Sequence, residues 1–535
     1  MKESNAVRNL RRRRTFKYAL LAEGLVIGAI TGVLVALFRL ALIRADELRN
    51  QLVEYAHSGM TGALVAAAVL ALIAVAVALL LVWEPECTGS GIPQVEGEMR
   101  GLIDMNWWKV LAAKFAGCVL SIGGGLALGR EGPCVQLGSM VGKGFARTNK
   151  RLLTEERLLI TCGAGAGLSA AFGAPLAGAI FALEELHKNF SVLVLITTMA
   201  SAAVADYVAA NIVGLAPVFN IEVVHAIPLR LYWTLVVFGA VLGVFGAMYN
   251  KLLDVQQDVF AKIGGFAEAL AGGKLVKFTK LAAAVALSYL MFFVYPTALG
   301  SGAWLVTDIS AGELALKALA VLLVVKLIYS TGCFGSGAPG GIFLPLLVLG
   351  AVAGGLYCRL LGLIGVDQMY ITSFVIVGMA GFFTAIVKAP TTGIILITEM
   401  TADFSSLLAL VIVSLMAFIV SDLCGADPVY EQLLEKRLRA EGKDTSPDNS
   451  APRAAGERVV LKADIHVGAL MDGGRVEDME LPDGCLIVAV IRNNMEIIPS
   501  GATKLHAGDH IEILCRKADI DDAVAVIQEK CEVRI

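Results

Sequence analysis

The chain has 535 residues, of which 57% are apolar and 17% charged, against about 25% charged in an ordinary soluble chain. A net charge of -3, a pI near 6.1 and a mean hydropathy of +0.73 exclude a disordered, collagenous or disulfide-stapled protein and argue against a nucleic-acid partner. Long apolar runs in place of short alternating ones exclude a membrane β-barrel, so the composition indicates a polytopic helical protein embedded in a lipid bilayer.

At the start, Arg11, Arg12, Arg13 and Arg14 precede an apolar stretch over 18–43 whose charges are Glu23 and Arg39. That length predicts a spanning or tilted helix, not a cleavable signal core, and the arginines predict a cytoplasmic N-terminus. Residues 61–83 carry no charge and predict a second span. Beyond them the apolar stretches shorten and are broken at Gly123-Gly124-Gly125, Gly132-Pro133, Ala174-Pro175, Pro339-Gly340-Gly341 and Ala389-Pro390. Interrupted helices survive at membrane depth only when buried in protein or lining a wet cavity, and in transporters they mark the binding site.

Residues 163–184 align without a gap on 378–399, pairing Gly163 with Gly378, Ala174 with Ala389, Pro175 with Pro390, Gly178 with Gly393 and Glu184 with Glu399. Duplication explains this better than chance, although the sequence leaves open whether the copies are parallel or inverted. Ten cysteines, among them Cys118, Cys162, Cys358 and Cys424, are dispersed with no C-x-x-C pair and read as small buried hydrophobes. Six histidines are equally scattered, so neither a metal site nor a cofactor is expected.

Hydrophobicity ends near Leu434, and residues 435–458 read as a solvated linker whose Lys436, Arg437 and Arg439 favour a cytoplasmic side. Residues 459–535 predict a small α/β domain, with strands at 485–491, 497–499 and 510–515 and an amphipathic helix at 520–530.

Three segments combine glycine or proline with the start of an apolar helix: Gly89-Ser90-Gly91-Ile92-Pro93, Gly129-Arg130-Glu131-Gly132-Pro133, and Gly337-Ala338-Pro339-Gly340-Gly341-Ile342-Phe343-Leu344-Pro345. Tyr430 forms a fourth element after Asp427-Pro428. A helix start exposes unpaired N–H groups and a partial positive charge, worth about 0.3–2 kcal/mol to a nearby anion. Several such ends converging would hold an anion weakly and reversibly, as transport requires. Each segment taken alone is also compatible with an ordinary helix cap.

Glu131 is the sharpest single residue, because a carboxylate at membrane depth costs about 2.5–3.5 kcal/mol and is functional by default. It could occupy the anion position itself and take up a proton; an ion pair with Arg130 is the structural alternative. Glu184 and Glu185 end the Ala-Pro helix, before His187 and Lys188. They read either as a solvated helix end or as a proton relay. Glu399 is equally readable as an ion-pair partner.

The three motifs, in this order and spacing, resemble the CLC family of chloride channels and chloride/proton exchangers over roughly 17–434. The resemblance implies an all-α membrane fold with an inverted repeat of tilted and broken helices, and a homodimer with one anion pathway per subunit. It implies that Ser90 and Tyr430 offer hydroxyls to a central chloride, and Ile342 and Phe343 their amides. Glu131 would be the external gate and proton acceptor, Glu185 the internal proton-transfer residue, and Glu184 the lining of the proton entrance. An acid at Glu185 favours an exchanger over a passive channel. Ser90 and Gly132-Pro133 match chloride-selective members more than nitrate- or fluoride-preferring ones. Cys134 and Gly173 depart from the common pattern.

The tail, through Leu481-Pro482-Asp483-Gly484-Cys485, Pro499-Ser500-Gly501 and Leu505-His506-Ala507-Gly508-Asp509, resembles the TrkA-C domain. That resemblance implies a dimerising cytoplasmic module, with or without a small ligand; some relatives bind the cyclic dinucleotide cyclic di-AMP. The expected organisation is a cytoplasmic segment at 1–16, a transmembrane domain at 17–434, a linker at 435–458 and a regulatory domain at 459–535. The expected function is chloride/proton antiport across a prokaryotic inner membrane, with both termini cytoplasmic. A passive chloride channel, a fluoride or other anion exchanger, and a membrane-anchored nucleotide sensor are the alternatives. No nucleophile–base pair or P-loop suggests an enzyme.

Overall fold

The computed structural model describes residues 5–188, 191–214, 219, 221, 225–271, 275–440, 458–466, 469–479, 481–482, 484–492, 495–516 and 520–531. The chain divides into two units, Met1–Lys436 and Arg437–Ile535.

The first unit is built from helices. Among the described residues, eight helices are long and apolar enough to cross a membrane, including Lys17–His57, Met60–Trp83, Leu316–Gly335 and Phe343–Gly362. The first continues past the expected end at 43 because its next charges are answered locally. Arg44 pairs with Glu47 at 2.7 Å and Arg49 with Asp46 at 2.6 Å, both at the i,i+3 spacing that brings side chains together on one helix face. Cys118, Cys162 and Cys358 are buried as expected; Cys424 is exposed, because it lies just past the end of the helix Leu407–Leu423.

The duplication extends far beyond the aligned segment. Ile92–Arg100, Trp107–Gly123, Glu131–Thr148, Leu153–Phe172 and Pro175–Phe181 recur in order as Ala303–Ser310, Leu316–Gly335, Phe343–Gly362, Ile371–Val387 and Pro390–Thr401. Glycine sets the packing within each copy. A Cβ on Gly138 would lie 2.0 Å from the Gly163 carbonyl, and one on the equivalent Gly350 2.5 Å from that of Gly378. The facing helices therefore touch through their backbones.

Two contacts between the copies give their relative direction. Gly129 and Gly341 form an antiparallel bridge, N–H to carbonyl at 2.6 and 2.7 Å, immediately before the two equivalent helices begin. Those helices start at one point and run apart. The Pro175 and Pro390 helices cap one another. Glu184 accepts from the Thr391 and Thr392 amides at 3.3 and 2.8 Å, while Glu399 accepts from the Leu176 and Ala177 amides at 3.1 and 2.7 Å. Each carboxylate at the end of one helix thus reaches the start of the other, which requires the copies to be inverted.

The second unit holds a four-stranded antiparallel sheet in the order β1 (Arg458–Asp464), β4 (His510–Arg516), β2 (Leu486–Arg492), β3 (Met495–Ile497), with a helix at Ile520–Cys531. Ile465, Met471, Ile487, Val490, Leu505, Ile511 and Ile513 form its core. Two sequence expectations shift. β3 lies at Met495–Ile497 instead of 497–499, since Pro499 has no N–H to give to the ladder. β1 is added at the start of the domain, drawn in by full pairing along β4. The helix Val429–Ala440 runs into the expected linker, of which 441–457 lie outside the described residues. Asp483 of the tail motif is also outside them.

Candidate anion and proton site

All three glycine motifs precede helices with no side-chain cap, so their first amides stay free for a ligand. Gly91 at φ 95° starts Ile92–Arg100, with Pro93 in the first turn; Arg130 and Ile342 start the other two. The motifs are stitched into one centre. The Gly89 carbonyl accepts from the Gly340 amide at 2.9 Å, and the Thr88 hydroxyl donates to the Gly337 carbonyl at 2.7 Å. The bridge between Gly129 and Gly341 closes the set. Gly132 has to lack a side chain: a Cβ there would sit 2.1 Å from the Ser90 hydroxyl.

Ser90, Glu131, Ile342, Phe343 and Tyr430 are all buried. Phe343 points its ring away into a cluster with Phe172, Phe181 and Phe383, at centroid distances of 5.4, 6.3 and 4.6 Å. Only its backbone remains to meet a ligand. The Ser90 and Tyr430 hydroxyls and both Glu131 carboxylate oxygens have no hydrogen-bond partner. Buried polar atoms left this way cost about 1–3 kcal/mol each, so several at one place mark a binding site. The amides of Arg130, Glu131 and Leu344 face the Glu131 carboxylate without closing on it. The carboxylate thus lies at the positive end of the Phe343 helix, where an anion would sit. Arg130 approaches it loosely, Nε to Oε1 at 3.7 Å.

Glu185 is also buried, with Oε1 unpaired, and the ionisable neighbours of Tyr430 are Glu185, Tyr249 and Glu131. The two glutamates thus share one phenol as an electrostatic neighbour. The reading of 184–187 as a solvated helix end does not survive: Glu185 is enclosed, and Glu184 is engaged as a cap, also accepting from the Thr392 hydroxyl at 2.7 Å. Glu399 is likewise a cap, and among the described residues it makes no ion pair.

Several residues of the site escape sequence reading. Lys114, fully buried, donates to the Cys87 and Gly89 carbonyls at 3.1 and 2.6 Å and so holds the Ser90 loop from behind. Its equivalent Lys326 holds the Ala298 and Gly300 carbonyls in the same way at 2.8 and 2.7 Å. Lysines inside apolar helices were the available signal. Beside Glu185, Lys188 donates to Glu96 at 2.8 Å and to Glu431, and Arg100 donates to the same two carboxylates at 2.6 and 3.0 Å. Glu96 is buried and keeps Oε2 unpaired. Only the Glu96–Arg100 pair, at i,i+4 on one helix, is announced by its spacing.

A model of the family described as "Voltage gated chloride channel" matches residues 70–422, and one of the TrkA-C domain matches 460–528. The chain is 33% identical over 460 residues to an H(+)/Cl(-) exchange transporter, ClcA, of Vibrio parahaemolyticus, covering 84% of this chain and 96% of that protein. It is 31% identical over 467 residues to the ClcA of Citrobacter koseri, covering 85% and 96%. Among solved structures it superposes on a slow cyanobacterial Cl-/H+ antiporter with a TM-score of 0.73 at 30% identity, covering 79% of this chain and 99% of that one. A CLC-type fluoride/proton antiporter shares the fold, with a TM-score of 0.63 at 20% identity over 76% and 96% of the two chains. The chain is therefore a multi-pass membrane transport protein of the CLC, or voltage gated chloride channel, family, carrying a C-terminal TrkA-C domain.

Proposed function

We propose that the protein exchanges chloride for protons across a prokaryotic inner membrane, as a homodimer with cytoplasmic termini. One observation carries the reading: two buried glutamates, with both oxygens of Glu131 and Oε1 of Glu185 unpaired, are electrostatic neighbours of the buried phenol of Tyr430. Chloride would sit among the amides of Ile342 and Phe343 and the hydroxyls of Ser90 and Tyr430. Glu131, already placed at a helix N-terminus, competes for that position as a carboxylate. Once protonated it loses its charge and its hold there, so the anion takes its place while the proton moves on toward Glu185. Glu184 lines the route inward.

A bound anion and a protonated Glu131 favour one another, which links the two fluxes. The site holds chloride through partial charges and hydroxyls, so binding is weak enough for turnover. A passive channel needs no proton acceptor at position 185, and the enclosed, unpaired Glu185 supports exchange over that alternative. Ser90 and Gly132-Pro133, which match the pattern of chloride-selective members, support chloride over fluoride. The tail would act as a dimer-stabilising module, with a cyclic dinucleotide as a candidate ligand.

Replacing Glu131 with Gln tests the mechanism. Chloride flux into liposomes should persist while proton movement stops. Proton movement that still tracks chloride in that variant would overturn the role given to Glu131.

A further inference from the structure

Four charges close into a ring beside the buried Glu185. The Lys188 ammonium donates to Glu96 at 2.8 Å and to Glu431, and the Arg100 guanidinium donates to the same two carboxylates at 2.6 and 3.0 Å. The ring joins three elements: the helix Ile92–Arg100, the wide turn Ala182–His187 that carries Glu185, and the helix Val429–Ala440. Glu185 has Glu96, Lys188, Glu431 and Glu184 as charged neighbours. Glu184 is engaged with the Thr391 and Thr392 amides, and His187, on the same turn, meets the Thr161 hydroxyl at 3.2 Å.

The second copy shows what the ring belongs to. At the offset of 215 residues it keeps the capping carboxylate, Glu399, but has the buried Met400 in place of Glu185 and Asp403 in place of Lys188. The helix Ala303–Ser310 is equivalent to Ile92–Arg100, with Thr307 at the position of Glu96 and Ala311 at that of Arg100. The caps that tie the copies together are thus present twice, whereas the ring is present only in the copy that has the buried acid. Joining the elements does not require it.

Its charges explain what it does for that acid. Two cations answer two carboxylates, so the ring carries no net charge. A buried carboxyl beside a net positive set is held ionised, and one beside a net negative set is held protonated. A group that takes up and releases a proton in every cycle must be held in neither state.

We propose that Lys188 and Glu431 are positioning residues for the proton step: they keep the ring neutral, so that Glu185 can both accept a proton and give it up. Without Lys188 the ring carries one net negative charge and Glu185 keeps its proton. Without Glu431 it carries one net positive charge and Glu185 stays ionised. Glu431 directly follows Tyr430, so one helix start carries both a hydroxyl of the anion site and a charge that tunes the proton site. That Glu185 handles the transported proton rests on the exchange reading above. The control of its charge by the ring does not.

The test reads Glu185 directly, whether or not protons cross the membrane. Purified full-length protein carrying Glu131→Gln, which removes the other buried acid of the site, is titrated with pH at constant chloride. The protonated-carboxyl infrared band that Glu185→Gln abolishes is followed. Lys188→Met should move its midpoint to higher pH by about half a unit or more, a shift reduced from the full effect of a close charge because Lys188 is half-exposed. Glu431→Gln should move it to lower pH by a similar amount. The double variant restores neutrality and should return close to the starting midpoint, and Lys188→Arg, which keeps the charge, should leave it there. In the native background both single variants should slow proton flux in liposomes, and the double variant should recover it in part. A ring that only braces the fold would move both single variants in the same direction. That result, an unmoved midpoint in both, or a double variant displaced as far as either single one, overturns the proposal.

Discussion

At the scale of single residues, the site is a set of buried polar atoms left without partners, held in place by others that are fully engaged. Lys114 belongs to the second kind. Its ammonium satisfies the Cys87 and Gly89 carbonyls just before and beside Ser90. Lys114→Met removes that donor and orphans both carbonyls, so the protein should lose about 1–3 kcal/mol of stability and bind chloride more weakly. Thermal unfolding with and without chloride measures both effects. Tyr430→Phe removes one unpaired hydroxyl and nothing structural. It should lower chloride affinity by about 1 kcal/mol, roughly fivefold, and raise the thermal midpoint in chloride-free buffer, where the hydroxyl has no partner.

Most of these residues are legible in sequence for a physical reason. Glycine and proline before an apolar run betray a helix start, and a glutamate at membrane depth has few uses. The residues that are not legible act through distant partners. Lys188 meets Glu96 and Glu431 across 92 and 243 positions, and nothing local in the chain marks either contact.

At the scale of elements, the reciprocal caps tie the two copies together. Glu184→Ala leaves the Thr391 and Thr392 amides and the Thr392 hydroxyl without their acceptor, and should cost about 0.5–2 kcal/mol. Glu399→Ala acts on the equivalent end and should cost a similar amount. Glu184→Gln separates the two roles of this residue, since an amide oxygen still accepts from the cap but carries no proton. A slower proton flux at unchanged stability supports a proton entrance; an unchanged flux assigns Glu184 to capping alone.

In the tail, Arg492 donates twice to Asp509, at 2.7 and 2.6 Å, and the His506 amide adds a third bond at 2.8 Å. Burial alone would raise the Asp509 carboxyl; these partners outweigh it and hold the group below its ordinary range. A carboxyl held low when folded stabilises the domain above its unfolded pKa of about 3.9, and that stabilisation disappears as the pH falls through the folded value. Protection of the C-terminal peptides against hydrogen exchange, relative to the intrinsic rate at each pH, should therefore fall on acidification, and Asp509→Asn should flatten the dependence. β3 and β1 show how far propensity reads this sheet: strand chemistry locates β2 and β4, while the ends depend on which neighbour supplies the ladder.

At the scale of the whole molecule, duplication and inversion explain why the centre exists at all. Two equivalent loops meet back to back at Gly129 and Gly341, and their helices leave in opposite directions, so positive helix ends converge on one point from both sides. The sequence shows the repeat where two Ala-Pro helices remain alike, and hides it elsewhere because equivalent positions hold different residues, Glu131 against Phe343 above all. Its inversion is not legible at all, since direction is a property of contacts between the copies and not of either copy.

The central claim is that chloride and protons move in obligatory exchange. The most direct measurement is proton flux in liposomes holding the purified protein, under a chloride gradient with the voltage clamped by potassium and valinomycin. The account expects chloride flow to drive protons uphill in the wild type, and that movement to be lost in Glu185→Ala. Chloride flux with no coupled protons in the wild type would contradict it and make the pathway a passive one.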